Sequence, residues 1–191
     1  MVDVRRVPST DFEDVYRLLC SRVGERDRDA VTDWYDDYPA LFVGAYDDGD
    51  LVGFALGRRA HGGAELVGIG VTEAYTRRGI GSRLLDAFEA GAVDLGVDRV
   101  SVGSAGGYVD EFYVGNGYRP ESILVRTTRD ALPADYRARF DVLREREDGD
   151  AWKVYIAPGG SEDDPLDRER VERVRRAFDD PDANYVMEKP L

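Results

Sequence analysis

The amino-acid sequence predicts an α/β fold, and three observations carry that expectation. Leu66 to Val71 is a short apolar run of strand character, followed by a polar glycine-containing turn and then by Leu84, Leu85 and Phe88 at helical spacing. Ala40 to Tyr46 and Leu51 to Gly57 are strand-like runs separated by Asp47-Asp48-Gly49-Asp50, a hairpin signal. Arg99 to Val102 then reads as a short parallel strand after a helix that ends near Leu95-Gly96.

Around this centre the other elements follow in order. Val2 to Val7 alternates as a first strand, and Thr10 with Glu13 three residues later predicts a capping box on a helix with Phe12, Val15, Leu18 and Leu19 as its apolar stripe. A second helix is expected around Ala30 to Tyr35, where Trp34 and Tyr35 read as packing residues. His61-Gly62-Gly63 predicts a second turn, with His61 exposed. Gly103 to Gly107 is a loop, Val109 to Val114 a helix and Ile123 to Thr127 a strand. Beyond them Pro133 to Arg146 reads as helix and Trp152 to Ile156 as strand. Pro158 to Ser161 reads as a loop, and Pro165 to Phe178 as a charged helix with Leu166, Val171 and Val174 on a thin apolar face.

Composition bounds the function. The 191 residues suffice for one domain with a full core, or one domain with an extension. Net charge is −13, which argues against a general affinity for nucleic acid. Only Lys153 and Lys189 are lysines among 26 basic residues. Abundant Asp with scarce Lys resembles the proteins of extreme halophiles; a merely acidic mesophilic protein is the alternative. Cys20 excludes an intramolecular disulfide by being single, and sits in an apolar helical pattern as core filler. One His and one Cys far apart give no metal site. No run is long and apolar enough for a membrane span, and the expectation is a soluble, cytoplasmic protein.

The chemistry lies in the turn after Val71. A glycine turn leading into a helix presents N–H groups without intrahelical partners, and such a spot binds phosphate. A Walker loop needs a lysine after its last glycine, whereas Ser82-Arg83 follow Gly81, and a dinucleotide fingerprint needs a third glycine where Leu84 stands. Thr76-Arg77-Arg78-Gly79-Ile80-Gly81, preceded by Val71 and Tyr75, resembles the pyrophosphate loop of the GNAT acyl-CoA N-acyltransferases, written [QR]-x-x-G-x-[GA]. Thr76 departs from it. Phe112-Tyr113-x-x-x-Gly117-Tyr118 resembles the FYxxxGF signature of the same family, while Gly106 and Val109 stand where Asn and Ala often precede it.

The resemblance implies a GNAT fold, a mixed and mainly antiparallel sheet flanked by helices. It covers residues 1–129 as the core. Residues 130–191 form a C-terminal extension, in which 130–182 are an insertion before a final strand near 184–189. It further implies acetyl-CoA as acyl donor. The N–H groups of Arg78, Gly79, Ile80, Gly81 and Ser82 would hold the pyrophosphate, with charge from Arg77 and Arg78, and the backbone of Ile69, Gly70 and Val71 would pair with pantetheine. A freed N–H at Ile69 or Val71 could polarise the acyl carbonyl. Tyr113 matches the family's general acid, and Glu65, six residues before Val71, the glutamate base of histone-type members; Glu73 or a water chain are other bases. The expected reaction moves an acetyl group to a primary amine of a small molecule or protein, with a homodimer possible. A non-catalytic acyl-CoA-binding sensor or interaction module of GNAT fold is the alternative, and a nucleotide-binding protein a further one.

Overall fold

The structure, a computed structural model, describes residues 1–180 and 182–191. The elements run β1 (Asp3–Arg6), α1 (Phe12–Val23), α2 (Arg28–Asp37), β2 (Phe42–Asp47), β3 (Asp50–Ala60), β4 (Gly63–Val71), α3 (Ile80–Asp94) and β5 (Arg99–Gly103). They continue with α4 (Tyr108–Gly115), β6 (Arg119–Thr127), α5 (Tyr136–Arg139), β7 (Val142–Asp148), β8 (Ala151–Ile156), α6 (Arg168–Phe178) and β9 (Asn184–Pro190). The sheet is mixed and mainly antiparallel, with helices flanking it, as the sequence predicts. The chain divides into two compact units, Met1–Ser101 with Pro190–Leu191, and Val102–Lys189.

In the first unit the strands lie in the order β1-β2-β3-β4-β5. Both predicted hairpins form, and both use two-residue turns with positive φ: Asp48 at 50° with Gly49 at 96°, and His61 at 52° with Gly62 at 80°. Such turns match the right-handed twist of the strands they join, and Asp and His are among the side chains that tolerate this region. Successive residues of β3 face opposite sides. Gly53 lies against Leu84 of α3, whereas Phe54 shares the face of Gly68 and Leu19 of α1. A Cβ on Gly68 would stand 2.7 Å from Leu19 Cδ1, so glycine lets α1 approach the sheet. Leu19, Phe54, Leu84, Leu85 and Phe88 are buried; each contributes roughly 1.5–3 kcal/mol by leaving water.

The second unit has the order β9-β6-β8-β7, with every adjacent pair antiparallel. Helix α6 packs on β6 through Val171, Val174 and Phe178. Asp167 caps it by accepting from Arg170 N at 2.8 Å, and the buried Asp180 beyond its end accepts from Arg126 N on β6 at 2.9 Å.

Three expectations are corrected. The capping box is absent: Pro8 leads into a 3-10 turn over Ser9–Asp11, the Thr10 hydroxyl donates to Asp11 Oδ1, and Glu13 pairs with Arg28 instead. The helix over 133–146 shrinks to α5, and its second half is β7. Arg144, Glu145 and Arg146 are good helix formers, but Gly149 at φ 60° turns the chain so that this stretch pairs with the apolar β8, and pairing overrides propensity. Leu166 falls outside α6, because Asp167 starts that helix.

Candidate active site

The predicted site residues fall into two groups, one in each unit. In the first, β4, the turn over 72–79 and α3 supply the cradle. Gly79 is the N-cap of α3, at φ 73° and without a side-chain cap. A left-handed φ is why glycine stands there. The first helical hydrogen bond runs from Arg83 N to Gly79 O at 3.2 Å, so the N–H groups of Ile80, Gly81 and Ser82 precede the intrahelical ladder. Gly79 is exposed, Gly81 and Ser82 are half-buried, and the Ile80 side chain is anchored in the core. Arg77 and Arg78 are exposed, and Arg77 holds φ at 59°, uncommon for a residue with a side chain.

The turn is braced from below. Tyr75 donates from its hydroxyl to Asp47 Oδ2 at 3.0 Å, and the Arg78 guanidinium lies 4.9 Å from the Tyr75 ring centre. Thr76 donates to Glu73 O at 2.9 Å, closing the 3-10 turn over Glu73–Tyr75. Hydrogen bonding to Asp47 pushes the Tyr75 phenol up, and the same bond, with the N-terminal ammonium, pulls the Asp47 carboxyl down.

On β4 the register pairs Phe54 with Gly70 and Gly53 with Val71, and Thr72 N donates to Val52 O at 2.8 Å. Antiparallel alternation then turns the N–H groups of Ile69 and Val71 away from β3. These are the two donors that the sequence singles out. The register also skips Val67, a bulge that bends β4 just before them. Glu65 lies opposite Arg58, whose Nε and Nη2 both reach Glu65 Oε2, at 2.9 and 2.8 Å. The Arg58 guanidinium lies 5.0 Å from the Trp34 ring centre. Tyr35 takes the packing role: its ring meets Phe12 and Phe42, and its hydroxyl donates to Val7 O.

In the second unit Tyr113 is 4 % exposed on α4, its ring between those of Phe112 and Tyr118. Burial pushes its phenol well up. One turn earlier lies Asp110, also buried, accepting from Ser104 Oγ at 2.5 Å, and burial raises its carboxyl. The sequence reading missed this pair and the Tyr75–Asp47 brace. Asp110 shares the i, i+3 face of Tyr113, a spacing that could have flagged it. A groove of about 950 Å³ along Glu111, Asp164 and Leu166 holds none of the predicted residues.

Among the described residues no group of three or more His, Cys, Asp or Glu could hold a metal, and no helix is long and apolar enough to cross a membrane.

Solved structures share this fold. Ard1 from Thermoplasma volcanium matches with a TM-score of 0.55 at 21% identity, over 82% of this chain and 97% of that one. The ribosomal-protein-S18-alanine N-acetyltransferase from Escherichia coli matches at 0.56 and 16%, over 85% and 98%. The PaiA N-acetyltransferase from Thermoplasma acidophilum, in complex with coenzyme A, matches at 0.52 and 17%, over 100% and 99%. No curated protein sequence matches the chain. A model of the acetyltransferase (GNAT) family matches residues 10–113, more than half the length, and with strand, glycine turn and helix in place the chain belongs to the GNAT acetyltransferase family.

Proposed function

We propose that the protein transfers the acetyl group of acetyl-CoA to a primary amine. The observation that carries this reading is the β4–turn–α3 unit, where three helical N–H groups precede the ladder and glycine holds a left-handed φ beside two exposed arginines. A diphosphate fits such a cradle, since N–H donors and the helix dipole both favour anions. A coenzyme A complex in the PaiA relative supports the same donor.

Acetyl-CoA supplies the thioester. The backbone N–H groups of Arg78 to Ser82 would bind the pyrophosphate, and Arg77 and Arg78 would add charge. The Ile69 or Val71 N–H would donate to the thioester carbonyl oxygen as negative charge develops there. The free amine attacks the carbonyl carbon and a C–N bond forms; the C–S bond breaks and its electron pair stays on sulfur. Tyr113, held protonated by burial, would give its proton to that thiolate. The proton lost from the amine would pass to Glu65 or to water. Both Arg58 contacts go to Oε2, which leaves Oε1 as the acceptor. The proton then returns to Tyr113 through solvent.

Residues 130–182 read as an insertion between the core and β9, and the acidic, lysine-poor composition as an adaptation to high salt in a cytoplasm. The test is acetyl-CoA calorimetry followed by an amine panel in molar KCl, with free CoA release as the readout. Binding with turnover of one amine supports the reading. Binding without turnover of any amine leaves the acyl-CoA sensor, and no binding overturns both.

A further inference from the structure

Away from these residues, the second unit carries a groove of about 550 Å³ between α5 and α6, walled by Arg139, Phe140, Arg170, Arg173, Arg176 and Ala177. Every charged side chain in that wall is an arginine, on a chain of net charge −13. Neighbouring guanidinium groups are met closely by carboxylates: Arg137 by Glu145 at 2.7 Å, Arg168 by Glu111 at 2.6 Å and Arg175 by Glu172 at 2.6 Å. The groove differs. Arg170 Nε donates to Ala157 O at 2.7 Å and Arg176 Nε to Glu172 O at 3.2 Å, both main-chain acceptors. Arg139 and Arg173 reach carboxylates only at 3.6 Å, on Asp135, and 4.0 Å, on Asp167, beyond hydrogen-bond distance.

Arg170, Arg173 and Arg176 are spaced by three residues on α6, where like charges repel. Glu169 and Glu172 are on the same helix but do not line the groove. An anion seated there would relieve the repulsion and accept the free N–H groups of several forks. We propose that this groove binds the diphosphate group of a small metabolite. Guanidinium forks match phosphate oxygens in pairs. From Arg170 to Arg176 the helix rises about 9 Å, more than one phosphate can bridge and within reach of two. The volume is that of a small-molecule site.

This inference does not depend on the acetyl-transfer reading, and the experiment keeps them apart. Inorganic pyrophosphate and ADP are titrated calorimetrically into the full chain, the Arg173→Gln/Arg176→Gln variant, Arg139→Gln, Arg17→Gln as a remote control, and Arg77→Gln to report the phosphate turn. The expected result is pyrophosphate binding at the groove that weakens at least tenfold in the double variant and severalfold in Arg139→Gln and is unchanged in Arg17→Gln, while Arg77→Gln lowers only the separate share of binding that belongs to the turn before α3. ADP binding as pyrophosphate does would identify free diphosphate as the ligand, and ADP binding tighter a nucleotide ester. No binding, an equal loss in Arg17→Gln, or a loss confined to Arg77→Gln overturns the proposal.

Discussion

Tyr75 of the turn between β4 and α3 donates its hydroxyl proton to Asp47 at the end of β2, 3.0 Å away, so the turn is tied to the hairpin beside it. Tyr75→Phe keeps the ring beneath Arg78 and removes that one bond. A hydrogen bond of this kind is worth about 1 kcal/mol or slightly more. KM for acetyl-CoA should therefore rise roughly fivefold with kcat unchanged. Steady-state kinetics check it; a fall in kcat at constant KM would instead put Tyr75 in the chemistry.

The cradle itself predicts a steeper response. Gly79 has φ 73°, so Gly79→Val strains the backbone, and Gly81→Trp puts an indole into the first turn of α3. Both should weaken acetyl-CoA binding severely, by a hundredfold or more on the order of two lost charge-assisted bonds. Thr76→Ala should change it little, because the Thr76 hydroxyl is committed to Glu73 O. Calorimetry that found unchanged binding in Gly81→Trp would refute the cradle.

Much of this is legible in the amino-acid sequence. Strand β4, the turn and α3 are set by a short-range pattern, with an apolar run, glycines and a helical stripe within 26 residues, and local signals of that kind survive folding. The donors at Ile69 and Val71 followed from the same stretch. What escaped needed tertiary information. Glu65 is fixed by Arg58, its partner across the β3–β4 hairpin, and Asp110 is fixed by Ser104 in the loop before α4. Strand β7 was read as helix because Arg and Glu favour helices, while the partner that decides its state, β8, comes later in the chain. Thr10 shows the reverse: its local capping motif is displaced by the 3-10 turn that starts at Ser9 and is capped by Pro8.

The second unit should respond to acid through Glu145. Its carboxylate accepts from Arg137 at 2.7 Å and from the Tyr136 hydroxyl at 2.5 Å, and the Arg137 contact pulls it below its ordinary value. A lowered carboxyl contributes stability above its unfolded value, about 4.3, and loses it as pH falls through the lower folded value. Glu145→Gln should thus cost on the order of 1 kcal/mol at neutral pH, allowing for the exposed arginine, and progressively less below pH 4. Thermal melts of both proteins across pH 3 to 7 test it; a gap in Tm that widens in acid contradicts the assignment.

A net charge of −13 predicts a salt-dependent fold. At about 10 mM salt the Debye length is about 30 Å and the carboxylates repel across the surface, whereas at 1 M it is about 3 Å. Tm should rise steeply with KCl. A Tm indifferent to KCl would favour the mesophilic reading of the same composition.

Tyr113 and Glu65 should contribute unequally to the chemistry. Tyr113 is buried, and its phenol is pushed far enough up to stay protonated through the working range. Tyr113→Phe removes that proton and keeps the ring packing against Phe112 and Tyr118. If the thiolate takes its proton there, kcat should fall by about 10² to 10⁴ across the neutral pH range, with acetyl-CoA affinity nearly constant. Glu65→Gln should cost less, since an amine open to water can lose its proton to solvent. Arg58→Gln separates the two roles of Glu65. A carboxylate that acts only by holding Arg58 over Trp34 gives equal losses in both variants, whereas a carboxylate that takes the proton gives a larger loss in Glu65→Gln. The measurement is kcat/KM against pH for the three variants with one accepted amine. A Tyr113→Phe profile superimposed on the parent's would remove Tyr113 from the proton path and leave it as a packing residue of α4.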